Sequence, residues 1–303
     1  MNLDQYPNVN YIKNQLEINF SFLSAVIERQ YNSFGESWLK FFEEDLGFYL
    51  DSDPERLKNA VAGYGEFALE SMKLQIKFQV NKEYENKSFE EASSEVYLNE
   101  DYMFNLYLPG LYLSHFLWAH HYKQHIFFMD KFLPLVKQHS GGLFYDVGVG
   151  TGFYSKEMLK NISTINGEGF DLSPYSLRHT KAMLSSRKLG DRYKINLSNI
   201  VTNPPKKKVP FILSIEVLEH LENPEEFLCA LNNMLGDGGL GLISAAINAA
   251  NADHIYLYKN TNEVKEQIEK CGFKIIDYIQ DEAYPPKKDE ELVPVNASFI
   301  VTK

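Results

Sequence analysis

At 303 residues the chain is about twice as long as an average domain, so two structural units are expected rather than one. Its formal net charge of −11 argues against nucleic-acid binding, because such proteins need a positive field that releases counterions from phosphates. The polar N-terminus MNLDQYPNVN does not resemble a signal peptide, and no later segment has the roughly 18 uncharged apolar residues of a membrane helix. We therefore expect a cytoplasmic protein that binds neither nucleic acid nor membrane.

The two cysteines of the chain also indicate the cytoplasm. Cys229 and Cys271 both fall in segments with helical patterns, and the chain has no CxxC pair. Two cysteines in this setting predict no disulfide framework and fit a reducing environment.

Residues 1–138 are predicted to form an all-helical domain. The first helix is indicated by apolar residues at spacings of three and four, the pattern of one buried helix face. These residues are Leu16, Phe20, Leu23, Ile27 and Tyr31. Asp53 and Pro54 have the chemistry of a second helix start, because a carboxylate can accept from free N–H groups and proline suits the first helical position. The stripe of this second helix is Leu57, Val61, Tyr64, Ala68 and Leu74.

Two further features belong to the same half. Ser88 followed by Glu91 matches a capping box and predicts a third helix. The segment 110–133 is apolar and aromatic nearly all round, which predicts a helix buried on several sides between the two halves. Pro134 is expected to end that helix.

Residues 139–303 alternate β-rich runs with helical patterns. The run LFYDVGVG indicates a buried strand that leads into a glycine turn, and FYSKEMLKNI indicates the helix after it. Ser173 with Pro174, and Asn223 with Pro224, predict two more helix starts. Six further strands are expected at 165–170, 193–197, 209–215, 239–246, 273–280 and 296–302. This alternation predicts an α/β fold with a mostly parallel sheet that is covered on both faces.

The strongest functional signal is the run DVGVGTG, which places Asp146, Gly148, Gly150 and Gly152 between a strand and a helix. Glycines let the backbone turn tightly and let a ligand approach, and a helix N-terminus offers free N–H groups. Such a run can also be an ordinary turn. The supporting residue is Asp171 at the end of the next strand, where a carboxylate can accept both ribose hydroxyls of a nucleoside cofactor.

A dinucleotide cofactor is disfavoured by the same run. The GxGxxG fingerprint that starts at Gly148 needs glycine at position 153, where the chain has Phe153. Asp146 is also poorly suited to a pyrophosphate, whereas it suits water or a cationic amino-acid tail. The pyrophosphate interpretation is therefore weakened.

Residues 140–303 resemble the class I S-adenosylmethionine-dependent methyltransferases, in the subgroup that carries an EVLEH sequence. The resemblance rests on five motifs in order: FYDVGVGTGFYS, GFDLSPYSL, FILSIEVLEHLENP, LGDGGLGLIS and CGFKII. It implies a Rossmann-like, seven-stranded sheet flanked by helices and S-adenosylmethionine as cofactor. The acid and glycines of the first motif would surround the methionine part, with Asp171 on the ribose and Leu172 beside the adenine. Glu216 and His220 would line the cofactor cleft.

The chain departs from this family after the third strand. Relatives often have an acidic residue there, close to the adenine amino group, and this chain offers Ser198 and Asn199. Either side chain can hydrogen-bond adenine, and an ordinary polar turn is an equally good interpretation.

The segment INAANADHIYLY, residues 247–258, lies where class I enzymes commonly place acceptor-binding residues. Asn248, Asn251 and Asp253 are candidate acceptor ligands, and His254 is the first candidate for a general base. The alternative is a capped polar loop in which His254 bonds to the backbone.

A second histidine cluster lies in the helical half, at positions 115, 120, 121 and 125. His121 and His125 are one helical turn apart, but a metal site needs a third ligand, and the nearest acid, Asp130, is more than a turn away. We therefore expect no metal. His121 is the second candidate base, and Tyr122 with His125 is expected to line the acceptor pocket, with simple packing as the alternative.

These observations predict methyl transfer from S-adenosylmethionine to a small molecule, in a cleft that residues 1–138 cover. One alternative keeps the fold but consumes the cofactor itself, as a cyclase or lyase that releases methylthioadenosine. The other is a binding module without enzymatic activity. The acceptor and the oligomeric state stay open.

Overall fold

The computed structural model describes residues 1–50, 55–85, 88–139, 141–288 and 290–303. Helices occupy the N-terminal part up to Lys137. They are α1 (Pro7–Asn19), α2 (Val26–Asp45), α3 (Gly47–Leu50), α4 (Arg56–Asn81), α5 (Phe89–Ala92), α6 (Glu100–Tyr102), α7 (Leu108–Leu117), α8 (Ala119–Phe127) and α9 (Leu133–Lys137). Wider π-type turns at Ser93–Tyr97, Met103–Tyr107 and Phe128–Phe132 connect several of them.

The first predicted helix is two helices. The apolar stripe that begins at Leu16 crosses a short 3-10 turn, Ser21–Leu23, and resumes in α2. The stripe is continuous because both pieces bury the same side: Leu16, Leu23 and Ile27 are all in the core. Spacing alone cannot reveal the break, because a 3-10 turn places residues at nearly the same interval of three.

The predictions of the second and third helices are confirmed within the described residues. The predicted stripe lies on α4, and Ser88 accepts a hydrogen bond from the Glu91 amide at 3.2 Å as an N-cap should. Asp53 and Pro54, the predicted start of α4, lie outside the described residues.

The helix predicted at 110–133 is interrupted, and not where expected. Trp118 has an extended backbone, with φ −103° and ψ 121°, and it separates α7 from α8. Pro134 does not end the helix, because it occupies the first turn of α9, where no intrahelical N–H is needed. The segment is otherwise buried on several sides as predicted.

In the described part of the chain, seven strands form one sheet in the order β3-β2-β1-β4-β5-β7-β6. The strands are β1 (Gly142–Val147), β2 (Ile165–Asp171), β3 (Tyr193–Leu197), β4 (Val209–Ser214), β5 (Leu235–Ile247), β6 (Lys274–Glu282) and β7 (Val295–Thr302). All neighbours pair in parallel except β7, which runs antiparallel to β5 and β6. The Rossmann-like, mostly parallel sheet is therefore confirmed.

Helices cover both faces of this sheet. They are α10 (Phe153–Asn161), α11 (Pro174–Ser186), α12 (Pro224–Met234) and α13 (Thr261–Lys270). Successive strand residues point to opposite faces, so Phe144 joins a core with α10 and the N-terminal helices, while Tyr145 joins a core with α12 and α13. The N-terminal helices thus share one hydrophobic core with the sheet.

Polar contacts also hold the N-terminal helices against the sheet. On α8, Lys123 pairs with Asp281 of β6 at 2.6 Å, and Gln124 donates to the Ser298 hydroxyl of β7 at 2.9 Å. Within the described residues, no helix combines the length and apolar character needed to cross a bilayer.

The cysteine prediction is wrong. Cys229 on α12 and Cys271 at the C-terminal end of α13 form a disulfide, with their Cα atoms 4.8 Å apart. They are 42 residues apart in sequence and meet only because α12 and α13 pack side by side, which a count of cysteines cannot show.

Candidate active site

The glycine run forms a tight turn between β1 and α10. Gly148, Gly150 and Gly152 have positive φ angles of 75°, 53° and 73°, a region that side chains other than glycine rarely adopt. A Cβ on Gly148 would collide with Val217, so the backbone passes there only because the side chain is absent. Gly152 has a different function from the one predicted: it faces Thr180 of α11 instead of the cavity, and it allows two helices to pack closely.

Asp171, at the end of β2, is tied to this turn. One carboxylate oxygen accepts from the Gly150 amide at 3.0 Å, and the other accepts from the Ser173 amide at 2.8 Å. Burial raises the pKa of this carboxyl. Because a carboxylate offers about four acceptor positions, these backbone bonds do not use up its capacity to accept from a ligand.

Two further carboxyls face the same space. Asp146 accepts from the Ser155 hydroxyl at 2.6 Å, and burial raises its pKa to about 7. Glu216 accepts from the Ser244 hydroxyl at 2.7 Å, and burial likewise raises its pKa to about 7. Buried acids with raised pKa values attract a positive charge, because a cation removes the penalty for ionising them.

A cavity of about 1190 Å³ joins these residues to the N-terminal helices. Most of the residues predicted for the site line it: Asp146, Gly148, Gly150, Asp171, Leu172, Ser198, Asn199, Glu216, His220, Asn251, His254 and His121. Asn199 also accepts from the Val201 amide at 2.9 Å, so it caps a turn while facing the cavity.

Three predicted acceptor residues do not line the cavity. Tyr122 and His125 lie against α2, where the His125 ring stacks on Phe41 with centroids 4.7 Å apart. They line a separate pocket of about 310 Å³. Asn248 turns away as well, since its amide donates to the Lys259 carbonyl at 3.1 Å. Spacing placed His121 and His125 on one face of α8, but the residues of this helix that border the cavity are Ala119, His120, His121 and Gln124.

His254 lies in the cavity wall with its tautomer defined by the backbone. Its Nδ1 lies 2.7 Å from the Ala249 carbonyl oxygen, so Nδ1 carries the proton and Nε2 is left as an acceptor. Burial lowers the pKa of His254 to about 4, which keeps the ring neutral near pH 7. His254 therefore bonds to the backbone and also faces the cavity, and its function as a general base stays a prediction.

His220 and Glu219 complete a cluster with His254. The two histidine rings lie edge to face, with centroids 4.8 Å apart, and His220 Nδ1 lies 3.1 Å from the Asp253 carbonyl oxygen. Glu219 is fully buried, and neither carboxylate oxygen has a hydrogen-bond partner among the described residues. Burial raises the pKa of this carboxyl well above its usual value.

Sequence reasoning missed Glu219. The available signal was its place in the EVLEH sequence, directly before His220. Missed too was the support from the N-terminal part: Tyr97 and Tyr107 both donate to the Asp253 carboxylate, at 2.9 and 2.6 Å.

A candidate metal-ligand set exists, but at a place other than the one considered in the sequence. The ligand atoms of Glu219, His220 and His254 lie within 4.8 Å of one another. Two ligands bound to one zinc ion at bonds of about 2.1 Å can be at most about 4.2 Å apart, so the group would have to contract to hold an ion. His121, by contrast, contacts the Ser114 hydroxyl at 2.9 Å.

An open, mostly parallel sheet whose first two strands end in a glycine turn and a buried acid is typical of Rossmann-like proteins that bind a nucleoside cofactor. Residues 145–240 match the family model described as a methyltransferase domain. This stretch of the chain is therefore similar to a methyltransferase domain, as the five sequence motifs predict.

Individual proteins agree with this family. The tRNA U34 carboxymethyltransferase of Proteus mirabilis (strain HI4320) is 28% identical over 171 residues, which cover 50% of this chain and 51% of that protein. The chain thus spans about half the length of this relative. Phosphoethanolamine N-methyltransferase 2 of Haemonchus contortus, solved with S-adenosyl-L-methionine, aligns with a TM-score of 0.53 at 14% identity, over 72% of this chain and 60% of that one. At that identity the likeness shows a shared fold.

Proposed function

We propose that this protein transfers the methyl group of S-adenosylmethionine to a small molecule held between the sheet and the N-terminal helices. The observation that carries the proposal is the single cavity that joins the cofactor residues to the histidine cluster. Its volume of about 1190 Å³ exceeds the roughly 300–1,000 Å³ of a pocket for one drug-sized ligand. There is room for the cofactor and an acceptor together.

The residues of the cavity fit the cofactor. Asp171 would accept the ribose hydroxyls, and Leu172, which is 37% exposed, would pack beside the adenine. When bound, S-adenosylmethionine supplies an electrophilic methyl group on a positively charged sulfur. Asp146 and Glu216 would attract that positive charge from the protein side, and positioning would contribute about 7–11 kcal/mol toward the barrier.

His254 is the proposed general base. An amine or hydroxyl acceptor must lose a proton as it gains the methyl group, and the neutral Nε2 of His254 can take it. The bond from Nδ1 to Ala249 holds the ring in that orientation. His121 is the second proposed base, and Asn251 is a proposed acceptor ligand.

Residues 1–138 would act as a cover domain over residues 139–303. The support is the set of contacts in which α4 reaches the loop after β5: Ser71 donates to Asn251 at 3.2 Å, and Gln75 donates to the Asn248 carbonyl at 3.0 Å. Such a cover would exclude water from the site.

Product analysis separates this function from its two rivals. The purified protein is incubated with S-adenosylmethionine, with and without a small-molecule extract, and the nucleosides are quantified by mass spectrometry. Methyl transfer yields S-adenosylhomocysteine only when an acceptor is present. Methylthioadenosine formed without any acceptor would establish the cyclase or lyase. Unchanged cofactor in every sample would favour the alternative of a binding module without enzymatic activity.

A tRNA acceptor is the alternative favoured by the relative named above, whose transferred group is by name carboxymethyl. The net charge of −11 and the helical cover argue against it here. Filter binding with total tRNA tests this directly: saturable binding at physiological salt would replace the small-molecule proposal.

A metal-assisted reaction is the second candidate for the mechanism. It is favoured by the buried Glu219 carboxylate, which has no hydrogen-bond partner among the described residues and lies next to two imidazole rings. We expect turnover to survive dialysis against EDTA, because the ligand atoms, up to 4.8 Å apart, would have to move together to share one ion. Loss of turnover that stoichiometric Zn²⁺ or Mg²⁺ restores would show that the cluster contracts around an ion.

A further inference from the structure

The cavity continues past the proposed acceptor site toward the N-terminal helices, and its character changes along the way. Near His254 the wall is polar, whereas among the helices it has a large apolar part, formed by Val26, Tyr64, Phe67, Met72, Ile76 and Trp118, beside the polar side chains of Arg29, Gln30 and Gln79. A small polar acceptor would leave this apolar part filled with water, which apolar walls disfavour.

The cavity opens to solvent through apolar side chains that a soluble surface normally buries. Phe22 is 40% exposed, Met72 42% and Ile76 60%, and all three line the cavity. Tyr284, in the loop after β6, is 36% exposed and lines the same cavity. We call these four residues the mouth. Contiguous exposed apolar residues around an opening are typical of a site for an apolar ligand.

The mouth is close to the proposed acceptor site. Ser71, adjacent to Met72 on α4, bonds to Asn251 in the same loop as His254. Gln75, adjacent to Ile76, also bonds to this loop, at the Asn248 carbonyl and the Ala250 amide, so Met72 and Ile76, one helical turn apart, both follow residues that contact it.

We infer that the acceptor is an amphiphile with a methyl-accepting polar head at His254 and a linear apolar tail that leaves through the mouth. This inference rests on the proposed function and names its substrate class. The chain offers a matched control: Val80 continues the exposed stripe of Met72 and Ile76 on α4 and is 79% exposed, but it does not line the cavity.

The test is a binding series. 4-Alkylphenols from ethyl to dodecyl are titrated in the presence of saturating S-adenosylhomocysteine, and the fluorescence of Trp118 in the cavity wall is followed. We expect Kd to fall about fourfold per added methylene while the tail is still inside, and then to level off. Ile76→Asp should weaken dodecylphenol at least about tenfold and leave ethylphenol unchanged, whereas Val80→Asp should alter neither.

Other results would overturn the inference. They are a Kd that does not depend on chain length, equal effects of Ile76→Asp and Val80→Asp, or a dimer in sedimentation that Ile76→Asp dissociates while Kd stays flat. Calorimetry with S-adenosylhomocysteine on the same samples keeps the two proposals apart. If S-adenosylhomocysteine does not bind, the proposed function itself is contradicted. If it binds but the Kd of the alkylphenols does not change with chain length, only the inference of an amphiphilic acceptor is contradicted.

Discussion

Asp171 contributes to the site through two sets of hydrogen bonds, one to the backbone and one proposed to the ribose. Asp171→Asn keeps the size of the side chain but removes its charge and one acceptor oxygen. Because a hydrogen bond to a charged group is worth about 1.5–3 kcal/mol, we expect S-adenosylhomocysteine to bind about 10- to 150-fold more weakly in calorimetry.

The matched control is Asp191→Asn, an exposed carboxyl before β3 that does not line the cavity. It should leave the affinity unchanged. Wild-type affinity in Asp171→Asn, with the fold intact by circular dichroism, would remove Asp171 from the cofactor site.

His254→Asn separates the structural and chemical functions of this residue. The asparagine amide can still donate toward Ala249, but it cannot take a proton near neutral pH. We expect turnover to fall about 10²- to 10⁴-fold with little change in cofactor affinity.

The pH profile is a second signature of His254. Its pKa is lowered to about 4, so the ring is neutral and able to accept a proton over the whole range above that value. Turnover should therefore stay level from pH 6 to 8 with respect to this group and fall only as pH approaches about 4. Full turnover in His254→Asn would transfer the proposed role to His121.

At the scale of elements, α2, α10 and α11 are joined by a buried ionic group. Lys156 of α10 is fully buried and lies 2.6 Å from Asp45 and 2.9 Å from Glu157. Arg187, which follows α11, lies 3.1 Å from Asp45. Although burial alone would raise it, Lys156 and Arg187 lower the pKa of Asp45 to about 2.

Lys156→Ala should destabilise the protein by about 3–5 kcal/mol in urea unfolding, because removing one partner leaves buried acids without compensation. Since Arg187 still pairs with Asp45, the lower end of this range is expected. Lys270→Ala is the control, an exposed pair with Glu225 at 2.8 Å that should cost at most about 1 kcal/mol. Equal losses of unfolding free energy in the two variants would contradict the prediction that Lys156 stabilises the contact between these helices.

At the scale of the whole molecule, buried histidines make the fold sensitive to acid. Burial lowers the pKa of five of them to about 3 or about 4: His115, His120, His179, His125 and His254. Each stays neutral in the folded state while the unfolded chain takes up a proton below about pH 6.5. Their contribution to stability is present above that pH and is lost as pH falls toward 4.

Asp146 and Glu216 have the opposite effect on how stability depends on pH. Their pKa values are raised to about 7, so their contribution to stability declines as pH rises from about 4 to 7. Six buried histidines, His121 included, outnumber the four carboxyls with raised pKa values, Asp171 and Glu219 included, and we expect the urea midpoint to decrease between pH 7 and pH 4.5. A midpoint that is constant or higher at pH 4.5 would show that the histidines are not buried as neutral rings.

The sequence by itself determined the features that depend on neighbouring residues. The glycine turn at Gly148 and Gly150, the acid at Asp171 and all seven strands were predictable, because turn conformation, helix starts and strand periodicity are encoded within a few positions. The mostly parallel sheet followed from the same alternation of strands and helices.

Tertiary structure alone decided which distant side chains meet. His220 and His254 are 34 residues apart in sequence, and they come together with Glu219 only because the ends of β4 and β5 are neighbours in the sheet. The way α8 packs after the break at Trp118 leaves His121 at the cavity and His125 against α2, since the side of α8 that carries His121 and Gln124 borders the cavity and the side that carries His125 does not. Packing over long chain separations selects these contacts, and local periodicity carries no information about them.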